Sequence, residues 1–185
     1  MTDASKTMIG KPKIGGAIFK APAGTTLPIT ATEALATAFV EQGHVSEDGV
    51  ERAINKSFAS LKAWGGEEVA TAKTEETVRV TFSLIEVNNE VTLKAKFGDD
   101  AVTVDAETGR ITLDYKGDET DAAVWVIDLE FNGMLRRIVF GNAQDVTEDF
   151  TQTFTDEELI ALPFELAVKK DADGRYFRDI IEAAA

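Results

Sequence analysis

An Asn-Gly step between two apolar-rich runs constrains this chain more than any other stretch. Asn132-Gly133 lies inside residues 123–140, AVWVIDLEFNGMLRRIVF. Both central positions of a type I′ turn need φ > 0, so the step predicts a two-residue hairpin. A loop that short also sets the register. Phe131 then faces Met134, Leu129 faces Arg136, Ile127 faces Ile138 and Trp125 faces Phe140. On the other face Glu130 meets Leu135, Asp128 meets Arg137 and Val126 meets Val139. A slip of one residue would turn Trp125 and Ile127 into water, so one buried face specifies the pairing. The opposite face carries an opposite-charge cross-strand pair and is expected to meet solvent or a charged ligand.

The rest of the chain predicts more strands. Residues 77–86 (TVRVTFSLIE) alternate cleanly: Val78, Val80, Phe82 and Leu84 point one way, and Thr77, Arg79, Thr81 and Ser83 the other. Residues 15–21 and 52–64 read as strands, with 67–74 as an edge. Residues 101–105 and 110–115 read as a pair around Gly109. Asp48-Gly49 predicts another hairpin turn, and residues 171–174 (DADG) predict a last one between strands at 164–169 and 175–180. Residues 144–154 alternate weakly. The period changes at 88–97 (NNEVTLKAKF), where Asn88 or Asn89 caps, Val91 pairs with Ala95, Leu93 pairs with Phe97, and Gly98 stops a short helix. A weaker helical piece starts at Thr32, with Leu35 and Phe39 four apart, and a helical turn is expected at 156–162. Roughly ten strands with turns every 8–12 residues predict a mainly β fold of two packed antiparallel sheets, a sandwich or barrel with one short flanking α-helix. Residues 1–13 read as a flexible N-terminal arm and 14–185 as a single domain with a long loop at 21–43.

Composition narrows the function. A length of 185 residues suits one sizeable domain. With no cysteine there is no disulfide framework, thiolate metal site or cysteine nucleophile. The first sixteen residues lack the apolar core of a secretory signal, and no apolar run is long enough for a spanning helix. A net charge of −14 argues against wrapping a phosphate backbone.

The motifs do not assemble a catalytic or cofactor site. His44 is the one histidine, with no Gly-x-Ser-x-Gly elbow to serve. Residues 10–16 (GKPKIGG) lack the Lys-Ser or Lys-Thr of a phosphate loop. Asp171, Asp173, Asp179 and Glu182 fall at calcium-loop positions, but Arg175 and Tyr176 occupy the fifth and sixth, where an oxygen ligand and a glycine are needed. The acidic pairs at 67–68, 99–100 and 157–158 read as solvated turns; a carboxylate-based hydrolase would need a cleft the sequence cannot show. No enzyme, cofactor or metal is expected.

The order of several segments, however, is distinctive. GGAIFKAPAGTTLP, FVEQGHVSEDGV, LKAWGG, a helix ending KFGDD, and LRRIVFGNAQDVTE follow one another between Gly15 and Phe177. In this the chain resembles the major tail tube proteins of long-tailed, non-contractile (siphovirus-type) phages of actinobacterial hosts. The resemblance implies stacked homo-hexameric rings, each subunit giving four strands to a shared barrel through which double-stranded DNA leaves the virion without sequence recognition. Twenty-four strands at about 4.8 Å spacing close a backbone circle roughly 40 Å across, room enough for a duplex. It also implies tape-measure protein and tail chaperones as assembly partners, no membrane, and residence in the virion tail after the host cytoplasm. On this reading Asp128, Glu130, Thr77, Arg79, Thr81 and Ser83 face an acidic lumen. Lys11, Lys13, Thr25, Leu27, Leu35 and Phe39 touch neighbouring subunits or rings. The alternative is an acidic β-sandwich binding module, such as a capsid decoration or host-attachment protein.

Overall fold

The computed structural model describes residues 7–13 and 17–184. The predicted hairpin is its centre. Strands β7 (Ala123–Phe131) and β8 (Met134–Asp145) pair across Asn132 (φ 49°) and Gly133 (φ 72°) in the register expected, from Phe131–Met134 out to Trp125–Phe140. β1 (Ile18–Pro22) lies along the other edge of β7, followed by the short β2 (Val40–Glu41).

The free edge of β8 is shared by two strands. Its first half pairs with β10 (Arg178–Ala183), and Ala143–Asp145 pair with β9 (Leu162–Val168). The divergence occurs beside Gly141, where a Cβ would come within 2.9 Å of Asp171 Cβ and 3.1 Å of Leu27 Cδ1. Beyond β9 follow β4 (Glu68–Leu84) and β3 (Val45–Lys62), so one eight-stranded antiparallel sheet folds over on itself. The two layers clamp one core. Phe82 and Phe164 stack at 5.1 Å, and Trp125 from the opposite layer meets them at 5.7 and 5.9 Å. Val78, Val80, Phe82 and Leu84 are all buried in it, as their alternation predicts. The fold is mainly β, as expected, with a separate two-stranded sheet, β5 (Val102–Val104) and β6 (Ile111–Leu113).

The expected helix is α1 (Glu90–Phe97), capped by the Asn89 side chain on the Val91 N–H and ended at Gly98. Ala95, Leu93 and Phe97 pack it on the core. Lys96 carries the helix inward. Its ammonium donates to Asp145 at 2.9 Å, Thr147 Oγ1 at 2.8 Å and the Pro163 carbonyl at 2.5 Å, joining α1 to β8 and β9. Burial pushes its pKa down, with Asp145 opposing.

Several local expectations are corrected. Asp48-Gly49 does not end a hairpin; Gly49 (φ 74°) sits in a bulge where β3 spends five residues against two of β4. The edge expected at 67–74 and the strand at 77–84 belong to one continuous strand, β4, which starts at Glu68. The 171–174 turn forms, but β9 and β10 do not pair with each other: they take different stretches of the exposed edge of β8, and β9 pairs with β4 on its other side. Residues 156–162 and the segment after Thr32 contain no helix. In the second case Leu35 and Phe39 are drawn instead onto β7 and β8. Part of the expected flexible arm is also used: Pro12 bridges Leu129, and the Glu130 N–H donates to the Lys11 carbonyl at 2.9 Å. Residues 1–6 lie outside the described residues.

Candidate functional site

With no catalytic cluster in prospect, the surfaces that could meet copies, rings or DNA are the sites to build. The first is the outer face of the β3–β4–β9 layer. Because side chains alternate along β4, the residues between its buried ones all emerge here: Thr77, Arg79, Thr81 and Ser83. The register places Asn55 beside Thr77, Ala53 beside Arg79, and Glu51 beside Thr81 on one flank, with Glu165 beside Thr81 on the other. Arg79 reaches diagonally to Glu165 at 2.6 Å, so its charge is compensated within the face. At one end Asp48, Glu51, Asp149 and Glu165 surround a shallow groove of about 320 Å³. Four of the six residues expected to face a channel thus share one open, polar, acidic-ended face.

Asp128 does not. It lies on the other layer and is 4% exposed, and Arg137 is 2% exposed. Arg137 Nε and Nη2 donate to the two Asp128 oxygens at 2.8 and 2.7 Å, a bidentate pair. The remaining donor, Nη1, reaches the carbonyls of Thr30 and Glu33, each at 3.0 Å. Residues 23–39 therefore form a lid over this face, which was expected to meet solvent or a charged ligand. Leu27, Leu35 and Phe39 pack under it against Val124, Val126 and Val139. Thr25 is tied to the Pro22 carbonyl. Glu182 on β10 accepts from the Ala31 and Thr32 N–H groups at 2.8 and 3.2 Å, holding the lid down. Leu27, Leu35 and Phe39, expected to reach a neighbour, are thus employed within the subunit; Phe39 is buried outright. Glu130 is half-buried at the end of β7, Lys11 is exposed and Lys13 half-buried.

Two further features go beyond the strands expected at 52–64 and 67–74: how far those strands project, and a cleft at their other end. β4 pairs with β9 only from Val78 onward, so residues 55–77 form a two-stranded arm beyond the body, turning at Gly65-Gly66. The arm exposes Phe58, Leu61, Val69 and Trp64, the last completely. At the opposite end of β3, the two layers part around a cleft of about 850 Å³. Its floor is apolar (Ile127, Leu129, Ile138, Phe140), and its rim holds Lys11, Lys13, Arg52 and Arg136. Arg136 and Arg52 share Asp179, at 2.6 and 3.5 Å. Burial works against the Asp179 charge, but the two guanidiniums hold its carboxyl below the usual range. The other candidate calcium positions do not converge with it: Asp171 accepts from the Asp173 and Arg175 backbone, and Glu182 holds the lid.

At the mouth of the cleft His44 Nδ1 lies 2.5 Å from Glu86 Oε1. The hydrogen bond to Glu86 raises the His44 pKa, and the same bond lowers that of Glu86. The His44 contribution is fully present below its ordinary value of 6.5 and is lost as pH rises through the raised one. Glu86 gives the opposite limit, losing its contribution as pH falls through its lowered value. A proton NMR titration should place the His44 midpoint above 6.5, and Glu86→Gln should return it toward that value. A wild-type midpoint at or below 6.5 would contradict the pairing.

A family model described as phage tail tube protein matches residues 5–184. Among solved structures, the chain is similar to the cryo-EM structure of the anti-feeding prophage cap, a tube-terminating cap. That likeness is 11% identical over the full length of both chains, with a TM-score of 0.47. No curated protein matches.

Proposed function

Because this chain belongs to the phage tail tube protein family, a family of structural rather than catalytic proteins whose place is the virion tail, we propose that it forms hexameric rings stacked into a tube that conducts double-stranded DNA. The observation that carries this reading is the outer edge of β3. This strand is 18 residues long, and among the described residues nothing pairs with its second edge. A long open edge invites pairing with another chain, and closing it within a ring removes that hazard. In the ring the β3–β4–β9 face bearing Thr77, Arg79, Thr81 and Ser83 turns to the lumen, with Glu51 and Glu165 in the same wall. Asp128 stays under its lid, and Glu130, two residues on along the same face of β7, belongs to that other layer as well. A wall of uncharged and acidic groups, with Arg79 already paired to Glu165, offers phosphates few free cationic contacts, so DNA slides without the counterion release that accompanies tight binding. Tape-measure protein and tail chaperones take part in assembly, which starts in the host cytoplasm.

Negative-stain microscopy of the purified protein tests the assembly: rings or tubes are expected, and persistent monomers or trimers would favour a decoration or attachment module instead. The channel has its own test. Thr81→Lys with Ser83→Lys should leave tubes intact while making DNA retention salt-sensitive and ejection slow. Unchanged ejection from well-formed tubes would move this face to the outside.

A further inference from the structure

Residues 151–160, between β8 and β9, make no hydrogen bond, ion pair or ring contact among the described residues. The ends of this segment are fixed. Phe150 packs on Phe97 at 5.8 Å, at the end of α1, and Leu162 is fully buried in the core. Ten residues held at both ends reach out about 15 Å. On that excursion Phe154 and Leu159 are turned to solvent, 71% and 76% exposed, beside Asp156, Glu157 and Glu158. No cation occurs between Glu148 and Leu162. A segment with large apolar side chains in water and no anchor of its own is ordered by what it binds.

We propose that this acidic segment of one copy inserts into the cleft between the layers of a neighbouring copy in the ring, with Phe154 and Leu159 on the apolar floor. Size and charge carry this occupant. The cleft, at about 850 Å³, lies at the large end of the range for sites that engulf a ligand, so it takes a stretch of chain rather than one side chain. Its lining carboxylates are Glu41 and Glu47, and Arg52 and Arg136 already share Asp179. Lys11 and Lys13 stand at the rim without an ion pair among the described residues, free to meet Asp156, Glu157 and Glu158. The segment does not occupy the cleft of its own subunit. It starts at Thr147 and Asp149 on the outer groove, across the β3 bulge at Ser46 and Gly49 from that cleft. The cleft is walled by Val45, Val50 and Arg52 of β3, beside the open edge that the ring contact covers, so a neighbour stands close to its mouth. Segment and cleft are different surfaces, so the contact is heterologous and closes as a ring rather than as a dimer. It deepens the ring reading above and rests on it.

The absence of native cysteine makes the test direct. Thr155→Cys, on the exposed segment, and Gly10→Cys, at the rim where a Cβ meets nothing within 4 Å, are placed in one full-length chain. The protein is treated with a short bismaleimide under conditions where microscopy scores rings. A ladder at multiples of the subunit mass, ending at the hexamer, is expected from the double variant, and at most dimers from either single one. Phe154→Ser with Leu159→Ser in the same background should cut the ladder about tenfold or more, as the loss of buried anchors does. Both side chains are exposed in the subunit, so the monomer should melt unchanged. Lys11→Glu with Lys13→Glu should weaken the ladder too, and adding Glu157→Lys with Glu158→Lys should restore it, a rescue that chance proximity would not give. Rings without a ladder overturn the docking and leave the ring reading in place. A link within one chain, consuming both thiols at the monomer mass, does the same. A ladder without rings keeps the contact and overturns the ring reading, and the loss of both overturns both.

Discussion

Asp128→Ala is expected to destabilise the subunit by about 3–5 kcal/mol, because it strands a buried guanidinium without its carboxylate. The Arg137 side chain is 2% exposed and has three acceptors: Asp128, the Thr30 carbonyl and the Glu33 carbonyl. The two neutral carbonyls cannot compensate a full charge. Water cannot reach it without lifting residues 23–39 off β7 and β8. For a chain of this length each kcal/mol is worth about 2–4 °C, so melting should fall by about 10 °C. Arg137→Met should cost a similar amount, leaving a carboxylate buried instead. The double variant Asp128→Leu with Arg137→Met should lose less than either single change, since no charge remains unpaired. Urea unfolding of the four proteins gives the cycle. An Asp128→Ala change of under about 0.5 kcal/mol, the scale of an ordinary surface substitution, would mean that the lid stands open and that Asp128 is free to face a channel after all.

That pair also marks where the sequence could and could not be read. The Asp128–Arg137 register followed from the two-residue turn and the apolar alternation, two independent constraints that agree on one answer. Helix α1 was legible for a similar reason: Asn89, the spacing of Val91 and Ala95, and Gly98 all lie within ten residues. The lid was not. Leu27, Leu35 and Phe39 belong to a segment without a regular backbone, so their apolar character carries no period that would aim them at β7 and β8. The polar face of the hairpin therefore looked open, although its charges were matched to each other and to main-chain carbonyls. Nor was the pairing of β9 and β10 with a common strand legible, because the 171–174 turn predicts a local hairpin. The actual partners are fixed by long-range contacts on β8.

The strands at 52–64 and 67–74 were expected, but their projection as an arm was not legible, for the opposite reason. A half-buried strand shows alternation because one face is in a core, as in 77–84. Along the arm both faces are wet: Phe58 and Leu61 are exposed, as is Ser60 between them. Propensity there follows neither face. What remains visible is Trp64 before Gly65-Gly66, a large apolar residue at a turn where a polar one would be expected of a chain that stays alone.

Excising the arm should abolish tube formation while leaving the monomer folded. The register supplies a clean junction, since Lys56 is paired directly with Glu76 and their side chains meet at 3.4 Å. Replacing residues 57–75 by Asn-Gly therefore closes β3 onto β4 with a two-residue turn of the type already present at 132–133. The loss to the fold is small. A two-stranded ribbon is marginal by itself, no arm residue belongs to either buried cluster, and the Tyr176 hydroxyl bonds to the Glu76 carbonyl, which is retained. Melting of the shortened monomer should stay within a few degrees of the parent, the shift that about 1 kcal/mol produces in a chain of this size. Assembly should respond quite differently, because the deletion removes Trp64, Leu61 and the acidic tip from every copy at once. Rings are expected to persist where the remaining edge of β3 still pairs, and stacking to fail. Tubes of normal length from the shortened chain would show that the contact between rings lies elsewhere on the subunit. A collapse in monomer stability would show instead that the arm is part of the core.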